Sequence, residues 1–283
     1  MNPPDPRSSG LPAATRALRF SCQPETILQE ISTGSSTYVH ARNLACELAA
    51  IAPLHSPVID EQERLAFFPE SGLSFALGEV TGLHAVMIPR PSAPAYSLEI
   101  GLPGVSRALS LVAIPECSDM LAFENALLRQ NALPITEKEL SAWQAVTTAS
   151  LEMCPCCTAS AEARQKEPEK HPLARVLRHA TRERHSLLCR LISPHLAFSS
   201  WITPEQFRAG NGRLSAVDTG RRGLLEIHIG YVHSLWTLRQ KIDGEDYVVL
   251  RVFDPLGRLH LEIASPELRL EAVWRELCRE REF

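Results

Sequence analysis

From Gly212 to Ile263 hydrophobic and polar residues alternate in short runs, and each run stops at a turn. Gly212 to Asp218, Leu224 to His228, Val232 to Lys241 and Val248 to Ile263 are rich in β-branched and aromatic residues, which predicts an antiparallel meander. Further upstream, Leu65–Phe68, Ala85–Ile88, Tyr96–Ile100 and Ala108–Ile114 read as strands, punctuated by Pro and Gly. Apolar residues at helical spacing predict helices at Pro24–Ile31, Val39–Ala49, Met120–Gln130, Thr136–Leu151, Pro172–Arg184 and Glu267–Arg281. Thr136 with Glu139 forms a capping box at the start of the fourth of these. In the helix from Pro172, the apolar face is Leu173, Val176, Leu177 and Ala180.

The pattern is helices, sheet, helices, a polar stretch, helix, sheet, helix. That is the outline of two similar α+β halves made of large antiparallel sheets covered by helices. The expected division is a disordered tail over 1–20, an N-terminal half over 21–153, a cysteine-containing linker over 154–170 and a C-terminal half over 171–283. Met1 to Thr15 is rich in Pro, Ser and Gly and lacks the apolar centre of a secretory signal, so the cytoplasm is the expected compartment. No apolar run reaches transmembrane length, which argues against membrane insertion. A formal charge of −4 gives no electrostatic reason to expect nucleic acid as a partner. The basic helix with Arg175, Arg178, Arg182 and Arg184 reads as a solvated face. Phosphate-binding loops, nucleophile elbows and the paired-histidine zinc motif are all missing from the sequence.

Val217-Asp218, Leu224 to Ile227, Trp236 to Lys241, Gly244 and Phe253-Asp254-Pro255-Leu256-Gly257 follow one another at a spacing that resembles the haemin-utilisation family of the HemS/ChuX type. Three segments upstream are similar to further family segments: His40 to Ala45 to an early helix, Leu77-Gly78-Glu79-Val80 to a Leu-Gly-Glu-Val stretch, and Ser118 to Phe123 with Leu127 to Arg129 to a Thr-Asp-x-His helix. The resemblance implies cytoplasmic haem binding and trafficking, with haem as the partner and ring-opening activity as a property of some members. Leu121 stands where the family's ligand histidine falls, so the principal bond to iron is missing there.

Candidate chemistry is therefore sought elsewhere. His228 and His233 each offer an imidazole that could ligate iron, and Arg239 and Lys241, two apart on one strand, share a face suited to the propionates. For each, a solvated strand residue is the plain alternative. Cys154, Cys156 and Cys157 are soft ligands that could hold structural zinc, or Cys154 before Pro155 could present its sulfur to haem iron; incidental reduced thiols are the third reading. The other cysteines, at 22, 46, 117, 189 and 278, are irregularly spaced and do not suggest a disulfide framework. The expectation is a haem-binding and haem-trafficking protein, binding rather than catalytic. The alternative is a non-enzymatic regulatory or scaffold protein on the same fold with zinc at the cysteines. Assembly as a homodimer stays open.

Overall fold

A computed structural model describes residues 16–21, 23–31, 36–88, 95–116, 118–130, 132–145, 153–266, 273 and 275. In chain order the first half comprises β1 (Arg16–Phe20), α1 (Pro24–Ile31), β2 (Ser36–Arg42), β3 (Cys46–Pro53), β4 (Val58–Asp60), β5 (Leu65–Phe68), β6 (Leu73–Ala76), β7 (Gly82–Ile88), β8 (Ala95–Leu102), β9 (Val105–Ala113), α2 (Met120–Arg129), β10 (Ala132–Ile135) and α3 (Glu137–Ala145). After α4 (Pro155–Lys166) and α5 (Pro172–Glu183) come β11 (Leu187–Ser193), β12 (Leu196–Ile202), β13 (Gln206–Gly210), β14 (Arg213–Asp218), β15 (Gly223–His228), β16 (Ser234–Ile242), β17 (Glu245–Phe253) and β18 (Leu259–Pro266).

The strands form two antiparallel sheets, and each sheet draws on both halves. One has ten strands in the order β10-β1-β7-β8-β9-β2-β3-β15-β14-β13, the other eight in the order β16-β17-β18-β11-β12-β6-β5-β4. Strands β7-β8-β9-β2-β3 of the first half correspond to β16-β17-β18-β11-β12 of the second, and each set of five is extended by the other half's three-strand meander. The two joints match: Leu224 of β15 pairs with Ala49 of β3, and Leu196 of β12 with Phe75 of β6. His228 N–H donates to Ala45 O at 2.8 Å and Ala76 N–H to His195 O at 3.0 Å, the same bond at the same place in each half. Single 3-10 turns, Leu77–Glu79 and Ile229–Tyr231, carry the chain from one sheet to the other. The expected pair of similar α+β halves is present, and the predicted meander is real but shared between two sheets.

The inner faces of the sheets pack together. Val39, Ala41, Cys46, Leu48, Leu225 and Ile227 of the ten-stranded sheet join Phe75, Cys189, Leu191 and Phe198 of the other in one buried cluster. Helix α1 adds Ile27, Leu28 and Ile31, α2 adds Phe123 and Leu127, and α5 adds the predicted Leu173, Val176, Leu177 and Ala180. Hairpins turn where left-handed backbone is available. Asn211-Gly212 (φ 51° and 70°) closes β13–β14, and Asp243-Gly244 (φ 51° and 85°) closes β16–β17, the residue pairs that two-residue hairpins of this twist require.

Several expectations change. Val39–Ala49 is a β-hairpin and not a helix, because Asn43 turns the chain and both arms find partners, β2 on β9 and β3 on β15. Its alanines have high helix propensity, but a central strand buried on both faces also favours small residues, and tertiary pairing decides. Arg16–Phe20, expected in the tail, is a strand held between β7 and β10. The 154–170 stretch, expected as a linker, is folded as α4 and a 3-10 turn, with Pro155 at the helix start, where its missing N–H costs nothing. β11 and β12, central to the eight-stranded sheet, lie in a stretch for which the pattern predicted nothing. The capping box is formed: Glu139 N–H donates to Thr136 Oγ1 at 3.2 Å, and Thr136 N–H to Glu139 Oε2 at 2.8 Å. Met1–Thr15, the end of the helix expected to reach Leu151, and Glu267–Arg281 apart from Val273 and Arg275 lie outside the described residues.

One side chain ties the sheets together. Asn43 Oδ1 accepts from Ala45 N and Cys46 N, and its Nδ2 donates to Ile192 O at 2.9 Å and His260 O at 2.8 Å. Asn43→Ala removes all four bonds. At about 1 kcal/mol each it should lower unfolding stability by about 2–4 kcal/mol in urea titrations. Asn43→Asp, which turns a carboxylate on two carbonyls, should cost more than Asn43→Ala. A loss below about 0.5 kcal/mol for either would show that the amide is no clamp.

Candidate functional site

On the face of the ten-stranded sheet turned away from the core, alternate strand positions carry polar and charged side chains. His40 and Arg42 on β2, Glu47 on β3, Glu99 on β8, Ser110 on β9, Arg213 on β14, and Glu226 and His228 on β15 share this face, because their chain neighbours point into the core. Arg107 reaches in from β9. His40 Nε2 lies 2.9 Å from Glu47 Oε2, and its Nδ1 lies 2.6 Å from Arg42 Nη2. A guanidinium can only donate, so Nδ1 accepts and Nε2–H donates to Glu47, the arrangement of a neutral ring. Arg42 also reaches Ser110 Oγ at 3.0 Å and Arg107 O at 3.2 Å. Arg107 pairs with Glu99 at 2.8 Å, and Gln144 of α3 donates to the second Glu99 oxygen at 2.8 Å. Arg213 pairs with Glu226.

Burial and charge set the protonation states. His40 is held down at about 4, first by burial and then by the Arg42 charge, with Glu47 opposing. Burial pushes the Glu47 carboxyl up, but His228, His40 and Arg42 outweigh it and hold it well below the usual carboxylate range. Three carboxylates, Glu47, Glu99 and Glu226, therefore face three guanidiniums, Arg42, Arg107 and Arg213. Glu47, Glu226 and His228 bring ligand atoms within 4.8 Å of one another. Arg42 and Arg213 already neutralise those carboxylates, so this trio is better suited to holding the sheet's buried charges than to holding a cation. At the far end of the face, the His84 ring packs tilted against Trp143 of α3, centroids 4.1 Å apart, and is held at about 4 by burial and by Arg19.

The residues singled out from sequence fall in three places. His228 sits within this network, its Nε2 3.7 Å from Glu47 and 3.8 Å from Glu226, with its side chain partly exposed. His233, Arg239 and Lys241 belong to the other sheet. His233 is exposed just before β16, its N–H bonded to Phe253 O at 2.8 Å. Arg239 and Lys241 are exposed farther along the same edge strand, opposite Val248 and Asp246. The structure thus aligns His233 with Arg239 and Lys241 and places His228 apart from them. Cys154, Cys156 and Cys157 converge at the start of α4, with Cys154 and Cys156 sulfurs 2.8 Å apart. Leu121 stands in the first turn of α2, 68% exposed. A groove of about 340 Å³ crosses the outer face of the eight-stranded sheet between Phe67 and Ile242, with Arg190 and Glu262 among its lining.

The helical spacing over Val39–Ala49 hides the buried network, because it places His40, Arg42 and Glu47 on a helix rather than on two paired strands. Its available signal was a charged residue at the centre of an apolar strand, as at Glu99 and Glu226. The two motif aspartates prove to build turns. Asp254 accepts from Leu256 N and Arg258 N and pairs with Arg258 and His260, while Asp218 accepts from Thr203 N and Arg221 N.

Solved structures share this architecture. Holo-PhuS, a heme-binding protein from Pseudomonas aeruginosa, superposes with a TM-score of 0.62 at 13% identity, over 88% of this chain and 81% of that one. The fold is that of PhuS and ChuS. The heme degrading enzyme ChuS of Escherichia coli O157:H7 gives 0.60 at 12% identity over 88% and 81% of the two chains, and a structure of ChuS as an E. coli heme oxygenase gives 0.61 at 12% over 93% and 88%. At these identities the likeness to PhuS and ChuS is one of fold. No protein-family model and no curated protein matches the sequence.

The depressed histidines make stability depend on pH. An unfolded chain takes up protons as pH falls through 6.5, while native His40 and His84 stay neutral to about 4. The unfolded state then binds more protons, so stability is full above pH 6.5 and is lost as pH falls towards 4. His40 alone should account for roughly 2–3 kcal/mol of that loss. Urea midpoints measured from pH 7 to 4 should fall steadily, and His40→Gln should flatten the slope; an unchanged slope in the variant would remove His40 from the account.

Proposed function

We propose that this protein binds haem and hands it on in the cytoplasm, as part of haemin utilisation. The observation that carries the proposal is the fold shared with heme-binding PhuS and heme-degrading ChuS over 88–93% of the chain. Residues along β16 are of the types such a ligand takes. Bound haem supplies an iron that accepts a neutral imidazole, together with two carboxylates at the rim of an apolar disc. His233 offers the imidazole from an exposed position, Arg239 and Lys241 offer cations for the carboxylates, and Leu235 lies between them on the same strand face. His228, turned towards Glu47 and Glu226, is the second choice for iron. Leu121 offers no donor, and the described lining of the groove on the outer face of the eight-stranded sheet includes no His, Cys, Met or Tyr.

A haemin titration of the purified chain, followed in the Soret region, tests this. A saturable one-to-one shift is expected, displaced in position by His233→Ala. Binding should weaken about tenfold for Arg239→Ala or Lys241→Ala, since one charge-assisted contact is worth about 1.5 kcal/mol. Absence of a saturable shift would sink the proposal. A shift lost in Cys154→Ser or His228→Ala, yet kept in His233→Ala, would overturn the assignment along β16.

A further inference from the structure

Cys154, Cys156 and Cys157 take no part in the haem reading, and their geometry has its own chemistry. Cys154 is the N-cap of α4, and its sulfur accepts the Cys157 N–H at 3.5 Å. That capping turn, with Pro155 fixing the backbone at the first helical position, gathers all three sulfurs within 4.8 Å of one another. An ion with bonds of about 2.3 Å to sulfur needs its ligands roughly 3.8–4.0 Å apart, so small side-chain rotations would bring the three into place. Cys154 and Cys156 are exposed and Cys157 is half-buried, which leaves one side of the cluster open.

Binding an ion here displaces the thiol protons, so the three cysteines would bind as thiolates. Three thiolates around a dication leave a net negative charge. The positive end of α4 offsets it, and so does Arg164, whose charge is felt at Cys157. Arg164 donates to Ser160 and Ile229 O, but its Nη2 is buried with no hydrogen-bond partner among the described residues. A cation carrying spare donor capacity thus lies near Cys157 of the cluster.

We propose that Cys154, Cys156 and Cys157 form a three-thiolate site for a thiophilic d10 cation, Zn²⁺ in the first instance, with its remaining coordination position open to solvent. Soft sulfur donors select Zn²⁺ and Cu⁺ over harder ions, and a dication leaves less uncompensated negative charge here than a monocation. An open position suits exchange of the ion with a partner or an external ligand better than a purely structural role, for which a fourth protein ligand is usual.

The test uses the reduced full chain and the metal ions alone. Zn²⁺ is titrated in competition with a chromophoric chelator, Cu⁺ with a Cu⁺-specific one, and Co²⁺ is added separately to report sulfur-to-metal charge transfer. One ion per chain is expected, with a charge-transfer band for Co²⁺. Affinity should fall at least a hundredfold in the Cys154→Ser/Cys156→Ser chain, whose circular dichroism should match the parent. Cys189→Ser, which removes a buried thiol, should leave binding unchanged. Tighter binding of Cu⁺ than of Zn²⁺ would keep the site and overturn Zn²⁺ as its first ion. Equal binding by the parent and the double variant, or no stoichiometric binding of either ion, would overturn the site altogether.

Discussion

The carboxamide of Asn43 is the point on which both sheets are registered. Its oxygen fixes the β2–β3 turn, and its nitrogen reaches carbonyls on β11 and β18. An asparagine can satisfy this place because it carries two acceptor and two donor sites in one plane, and here each is used once. The turn belongs to the ten-stranded sheet and the carbonyls to the eight-stranded one, so the same side chain sets the local hairpin and the distance between layers. The interior of Val39, Leu48, Phe198 and Leu191 closes around that spacing. Non-directional burial supplies most of the stability, but it does not choose a register; directional bonds of this kind do.

The charged face of the ten-stranded sheet follows a related logic. Carboxylates and guanidiniums are expensive to bury singly, and here they are buried as matched sets with their oxygens and nitrogens largely occupied. His40 stays neutral because only a neutral ring can accept from Arg42 and donate to Glu47 at once. Such a network specifies strand order, since Glu47 on β3 and His228 on β15 come together only when those strands lie side by side.

Much of the fold was legible because turns and amphipathic faces are local. Asp254 and Gly257 mark a turn within five residues, Asp243-Gly244 marks a hairpin within two, and α5 shows its buried face in twelve. Of the motif residues that carry the family resemblance, Asp218, Asp254 and Gly257 are turn builders, so these three mark the fold rather than a reactive centre. What was not legible is relational. Arg213 meets Glu226 across a hairpin, and Glu47 meets His228 across a joint between halves, and neither meeting leaves a trace in spacing along the chain. The hairpin at Val39–Ala49 reads as a helix for the same reason: small apolar residues serve a helix or a doubly covered strand equally well until the neighbours are known. His233, Arg239 and Lys241, in contrast, share one strand face, and their alternation was readable directly.

The exchange of three-strand meanders bears on how the chain is born. Synthesis releases β4, β5 and β6 well before β12, the strand that covers the open side of β6, and β3 waits still longer for β15. Throughout that interval a nascent first half offers two bare strand edges backed by apolar side chains such as Leu73 and Phe75, the surface on which strands of other chains add. Closure must join residues far apart in sequence, which slows it further. Both edges are covered only once β12 and β15 of the second half have left the ribosome, so the pairing that protects them is completed late.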